Sequence, residues 1–314
     1  MSEADVLRPP LAPAAAHEGQ SGTASNRSID VTADARTSLL SPLPAATLLI
    51  TVIMAPASAV AQSVAPAEAG MTSGLEGDVR GAPGEWAFAL GAGVGYAPDY
   101  EGSEDYEPVP LLFARAQRDE FYLTLEANTL RANLLPSPVF QAGPLIRYRP
   151  ERDDVDNDAI DALETVDAAV EVGGFVGFEA GGWHGRAEVT QEVADAYDGL
   201  LVGVRGGYRA DISPNLSLNT TAFTTYASDD YMETYFGIDA ADAVRSGLDT
   251  FDAEAGFKDV GVSLTARYGG REGFGVTAIA AYKRLLEDAE DSPVVDGVGS
   301  PDQLFGGLLV TYGF

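Results

Sequence analysis

His184 stands in the stretch Trp183 to Glu192 with Arg186, Glu188, Thr190 and Glu192, all at even spacing from it. A histidine near carboxylates is the raw material of acid–base hydrolysis, which needs a base oriented by an acid and facing a nucleophile or water. The spacing argues against it. On an extended chain Glu188 lies ~13 Å from His184, so the pair reads as part of a mixed-charge face. The wider set on such faces is Glu85, Glu126, Arg147, Glu171, His184, Arg186, Glu188, Arg205, Arg209 and Arg267. These charges either line a selective pore or neutralise one another, and pairing is the expectation because buried charges persist when paired.

Asp153, Asp154, Asp156, Asp158 and Asp161 suggest calcium, but the spacing fails as a calcium loop. Ala159 sits where glycine is needed and Thr165 where the bidentate glutamate belongs. The chain has no cysteine, which removes disulfides, thiolate zinc sites and thiol nucleophiles together. The residues therefore point to no catalytic group, no cofactor and no metal, and to a protein that is not an enzyme.

The elements that carry these charges alternate with period two. Trp86, Phe88, Leu90, Ala92, Val94 and Tyr96 share one face, with Ala87, Ala89, Gly91, Gly93 and Gly95 on the other. Similar patterns predict strands over residues 85–96, 107–117, 120–127, 139–149, 167–178, 182–193, 198–210, 215–227, 257–268, 273–284 and 303–314, with Phe223 an exception to the alternation. Most of these match the ~9 to 11 residues of a tilted membrane-spanning strand, longer than the usual soluble strand. Single-chain bacterial barrels have an even strand number, so Thr129 to Leu135 is expected to supply the twelfth, with ten as the alternative count. The last strand places Leu304, Leu308, Val310, Tyr312 and Phe314 on one face. Tyr312 and Phe314 then look like the terminal aromatic signal read by the barrel-assembly machinery. The fold class expected is all-β: a transmembrane, antiparallel, up-and-down β-barrel.

Twelve strands sort the connections by length. Short ones fall on the periplasmic side, and the long ones near 97–106, 150–166, 228–256 and 285–302 fall outside, as is usual for such barrels. The long connections hold 25 acids against two bases, Arg152 and Arg245. They are expected to be solvated acidic loops sharing divalent ions with lipopolysaccharide phosphates.

The apolar stretch Leu39 to Val60, preceded by Arg27 and Arg36 and closed by Ala59-Val60-Ala61, reads as a secretory signal. The expected organisation is a signal peptide over 1–61, with an over-long leading region, a flexible periplasmic segment over 62–84, and the barrel over 85–314. The whole chain carries 48 acids and 19 bases, for a net charge of −29. Setting aside five acids and three bases in residues 1–61 leaves 43 and 16. Such acidity excludes nucleic acid as a partner.

From Trp86 to Phe314 the sequence resembles the MipA/OmpV family of outer-membrane proteins. Gly91 to Ser103, ending in Pro98-Asp99-Tyr100-Glu101-Gly102-Ser103, looks like the family's glycine-rich strand and following turn. Tyr231-Met232, Thr234 and Tyr235-Phe236-Gly237, then Ala255 to Gly261, then Tyr282 to Leu286 with Asp288, Ala289, Asp291, Ser292 and Pro293 follow in the family's order. Residues 150–166 depart from the pattern. The resemblance implies a Gram-negative outer-membrane protein set among lipid and lipopolysaccharide. It implies a scaffold linking a lytic transglycosylase to a penicillin-binding protein, with a porin-like small-solute channel or an adhesin as the alternative.

Overall fold

The computed structural model describes residues 72, 79, 81–270 and 272–314; the expected signal peptide and most of the 62–84 segment lie outside the described residues. Twelve antiparallel strands close on themselves. They are β1 (Trp86–Pro98), β2 (Tyr106–Arg118), β3 (Phe121–Glu126), β4 (Thr129–Asn133), β5 (Phe140–Arg149), β6 (Ala169–Ala180), β7 (Trp183–Glu192), β8 (Leu200–Ser213), β9 (Leu216–Ala227), β10 (Gly256–Gly269), β11 (Gly273–Leu285) and β12 (Asp302–Gly313). Each pairs with its sequence neighbours, and β12 returns to β1 in the register Leu90↔Tyr312 and Ala92↔Val310. Beyond the last ladder pair, Phe88 and Phe314 exchange both backbone hydrogen bonds at 2.9 Å. Closure gives every strand two neighbours, as a structure surrounded by hydrocarbon favours, although residues 106–112 of β2 pair only with β1 because β3 stops short of them.

The Thr129 stretch is the twelfth strand. It and β3 are the short ones, at five and six residues, because Ala127 at φ 51° and Asn128 turn the chain back after half a crossing.

The outward face is apolar. Val94, Val176, Val204, Val262, Leu264, Leu308 and Val310 are all exposed, which is favourable against lipid tails and costly against water. Aromatic pairs bracket this band. Near the short turns Trp183 meets Tyr208 at 5.0 Å and Phe274 meets Tyr312 at 4.8 Å; near the long loops Tyr96 meets Tyr106 at 5.7 Å and Tyr226 meets Phe257 at 5.6 Å. Such rings sit at the two interfaces of a membrane-spanning barrel.

The inward face has two chemistries. Leu111, Phe113, Phe223, Ile279, Phe305 and Leu309 form a buried apolar cluster that also contains Val79, whereas the wall from β3 to β8 is charged. Phe223, the break in the β9 alternation, follows the rule after all: it keeps the inward phase of Thr221 and Thr225 and is buried. Its ring occupies the space a Cβ at Gly261 would need, since that Cβ would lie 2.3 Å from the Phe223 ring.

Candidate functional site

The long loops expose most of their acids, as expected, but they are folded and not an open fringe. They carry four short helices, α1 (Asp158–Asp161), α2 (Asp229–Phe236), α3 (Ala240–Ser246) and α4 (Glu287–Asp291), and a π-helical turn, Pro293–Gly297. In α2 the apolar residues recur at helical spacing, so Tyr231, Met232, Tyr235 and Phe236 are buried while Asp229 and Asp230 face water. They share one core with Tyr100, Ile160, Leu163, Tyr197, Ala289, Val294 and Val295. Every long loop contributes, so the loops fold into a single cap over the outer mouth. Most loop acids remain exposed on its surface.

One acid is turned inward. The Glu101 carboxylate accepts from Lys258 Nζ at 2.5 Å, Lys283 Nζ at 2.7 Å and the Tyr231 hydroxyl at 2.7 Å. Lys258 reaches it because the β9–β10 register shifts between Phe257 and Asp259. That bulge turns both Lys258 and Asp259 inward, where they bond at 2.8 Å. Gln303 clamps the same loop, accepting from the Gly102 N–H at 3.2 Å and donating to the Ser103 carbonyl at 3.1 Å. Gly102 has φ +104°, and a Cβ there would lie 2.6 Å from Val295 Cγ2, so only glycine fits.

The remaining cap contacts explain the other loop residues singled out by sequence. Pro98 ends β1, and the half-buried Asp99 accepts from the Asp156 N–H at 3.0 Å. Burial raises the Asp99 carboxyl pKa, and the neighbouring charges of Asp156, Asp105 and Asp154 add to the rise. Burial likewise pushes the Tyr100 and Tyr235 hydroxyls up to about 12 and lowers the Arg152 guanidinium. Arg152 donates to the Tyr235 carbonyl at 2.9 Å, and Ser292 Oγ donates to the Phe236 carbonyl at 2.6 Å. Gly237 ends α2, and Pro293 opens the π turn behind Ser292. Asp288 accepts from the Glu254 N–H at 2.7 Å, whereas Asp291 is exposed.

Beneath the cap, buried ion pairs cross the charged side of the lumen. Glu171, with no exposure, accepts from Arg147 and Arg149 at 3.1 Å each, from Thr190 Oγ1 at 2.8 Å and from the Tyr197 hydroxyl at 2.8 Å. Arg147 also bonds Glu188, and Arg131 holds Glu126 at 2.6 Å with Glu188 3.8 Å away. The Arg149 guanidinium lies 5.1 Å from the Tyr231 ring centre, which ties this network to the cap.

Below it, a cavity of ≈ 270 Å³ reaches the short turns, lined by His184, Arg186, Arg205, Arg209 and Arg267 among others. His184 Nε2 lies 3.1 Å from Thr221 Oγ1, while Glu188 is turned to Arg147. Gly207 keeps a place for the imidazole: a Cβ there would lie 2.8 Å from it. Glu85 is different; it is exposed ahead of β1 and belongs to no lumen wall. Tyr312 and Phe314 lie on the outward face, stacked at 6.1 Å. The sequence reading missed Glu101, Lys258, Lys283 and Gln303 as a unit. Three of them stand inside the motifs quoted above, and the adjacent inward charges Lys258 and Asp259 were the available sign of a bulge.

A closed antiparallel barrel with an apolar belt, aromatic girdles and a polar-charged interior is an outer-membrane β-barrel. Residues 90–314 match the family described as MltA-interacting protein MipA, and the chain belongs to that family. Two relatives, the YiaT proteins of Escherichia coli O157:H7 and of strain K12, are outer membrane proteins by name. Each is 28% identical over 215 residues, covering 67% of this chain and 85% of theirs. Among solved structures, an outer membrane channel of Pseudomonas putida F1 aligns with TM-score 0.43 and 10% identity over 76% of this chain and 99% of its own. OprB of Pseudomonas putida aligns with TM-score 0.35 and 10% identity over 73% and 94%. This chain is a protein of the outer membrane.

Proposed function

We propose that the protein works by contact and not by catalysis or bulk transport. In this reading it is a closed barrel that anchors an interaction surface in the outer membrane and engages murein-processing enzymes, a lytic transglycosylase and a penicillin-binding protein, from the periplasmic side. The observation that carries the reading is the filled mid-lumen. Arg131, Glu126, Glu171, Leu111 and Leu309 all face inward and none is more than 1% exposed. A twelve-strand barrel with bulky inward residues has little free bore, and the folded cap covers its outer end. The family's description, MltA-interacting protein, supports the partner class. Export is part of the same proposal, with residues 1–61 removed as a signal peptide.

The small-solute channel is the second reading, favoured by the inner cavity, which is half of a path. Planar-bilayer recording of the refolded protein separates the two. Silence, together with retention of a purified lytic transglycosylase, supports the closed scaffold. Reproducible single-channel steps with no retention overturn it in favour of the channel.

A further inference from the structure

We infer that a notch in the outer half of the barrel wall, between β2 and β5, is a binding site for a hydroxyacylated glycolipid of the outer leaflet. The β3–β4 hairpin stops at the Ala127–Asn128 turn, where the Ala127 N–H donates to the Leu112 carbonyl at 2.9 Å and the Tyr148 N–H to the Asn128 carbonyl at 3.0 Å. Beyond that turn, among the described residues, β2 runs on to Tyr106 paired with β1 alone, and β5 runs on to Arg149 paired with β6 alone. The two strands that stop short leave three inter-strand spacings between these edges, about 14 Å. Val109, Leu111 and Arg149, the inward residues beside the notch, are all buried. The notch is therefore a recess in the wall and not a hole into the lumen.

The long edge of the recess offers acceptors without donors. Alternate residues of an antiparallel strand bond to opposite neighbours. Leu112 accepts from the hairpin side and Asp105 from Asp99 on the β1 side, so the main-chain groups of Pro108 and Pro110 face the notch. Neither has an N–H, and each presents a carbonyl alone. Among the described residues no donor reaches either carbonyl. On the facing edge Pro150, two residues after Tyr148 and in the same phase, removes a donor as well.

Depth restricts what can supply the missing donors. Pro110 lies opposite Val94 and Pro108 opposite Tyr96. Val94 is exposed in the apolar belt, and Tyr96 stacks on Tyr106 in the outer aromatic girdle, so the two carbonyls stand between the hydrocarbon and its interface. Leu112, Leu130, Ile146 and Tyr148, on the outward face around the notch, are half-buried or exposed. Plain hydrocarbon would satisfy these side chains and leave the carbonyls unpaired, which is costly in lipid. A strand from a second copy needs donors as well as acceptors, and prolines at an edge deny it the donors. A lipid whose acyl chains carry hydroxyl or amide groups close to the head group meets both requirements. The site is independent of the scaffold reading, because it lies on the lipid side of the wall.

The test is native mass spectrometry of the full refolded chain in detergent with excess chelator, which removes any contribution of divalent ions at the acidic loops. The probes are a glucosamine lipid bearing β-hydroxyacyl chains and its counterpart with plain acyl chains of equal length. One equivalent of the hydroxylated lipid is expected to bind, at least tenfold tighter than the plain one. Lengthening the β3–β4 hairpin by two residues on each side of its turn fills the notch and is expected to abolish that preference. Pro110→Trp, which adds a ring at the recess and an N–H to its edge, is expected to weaken binding at least tenfold and decides the matter if the lengthened hairpin does not fold. Val204→Trp, on the lipid face of β8, is expected to leave binding unchanged. Heat-modifiable migration confirms that each variant is folded. Equal binding of the two lipids, which is annular lipid only, overturns the inference. So does a preference that survives in both folded notch variants, or a lipid-free dimer that Pro110→Trp disrupts.

Discussion

Lys258 and Glu101, 157 residues apart in sequence, are joined at 2.5 Å inside the outer mouth of the barrel. Lys258 stands on the wall and Glu101 in the first loop, so this contact holds the cap to the barrel. Lys283 completes it from the neighbouring strand. Glu101→Gln removes the carboxylate that Lys258 and Lys283 share, while Lys258 keeps Asp259, so the expected cost is about 3 kcal/mol, the low end for breaking a buried pair. The expected result is a lower unfolding midpoint in denaturant and faster protease cleavage within residues 228–256, while the strands stay intact by circular dichroism.

Glu171 is the corresponding hub of the lumen, since two arginines, a threonine and a tyrosine all donate to it. Glu171→Ala removes the acceptor and leaves Arg147 and Arg149 buried, for an expected loss of about 3–5 kcal/mol. Denaturant titration in detergent measures it. A loss under 1 kcal/mol would show that the network is not a stability element.

The membrane face gives a positional test. Val262 points outward at mid-strand, and its neighbour Ser263 is buried inward. Val262→Arg is expected to destabilise by about 2–4 kcal/mol, the range for a cation on the lipid face near mid-depth. Ser263→Ala is expected to be near neutral. Equal effects would contradict the assignment of faces.

Acidity should tighten the contact between the first two long loops. The folded protein holds the Asp99 carboxyl above its usual pKa, chiefly through burial, so the folded state binds its proton at higher pH than the unfolded state does. Stability from this group therefore rises as pH falls through the folded value and is lost as pH rises through it. Asp99→Asn is expected to remove that pH dependence and to slow cleavage near residues 150–157 at pH 7. Limited proteolysis from pH 7 to pH 4 measures both.

The terminal aromatic is proposed as an assembly signal and is tested in cells. Phe314→Ala is expected to reduce the heat-modifiable, membrane-inserted fraction without changing the amount synthesised. Its backbone bonds to Phe88 survive the substitution, so a defect would trace to the side chain.

The sequence by itself determined the strands. Period-two alternation is a local property, and in lipid each segment must put apolar side chains outward whatever its neighbours do. The expected ends of all twelve strands lie within three residues of those observed. The same alternation placed Glu171, Arg186, Glu188, Arg205 and Arg209 on the inward face, because facing is also local.

Only the tertiary structure decided what those residues meet. Arg147 could have paired with several acids on the same face, and strand register and stagger around the closed wall chose Glu171 and Glu188. The loops show the limit most clearly. Their acids dominated the composition and suggested a solvated fringe, yet the apolar positions of α2 have no counterpart nearby in sequence. They bury themselves against Tyr100, Ile160 and Val294, residues brought within reach only when β12 meets β1 and the barrel closes.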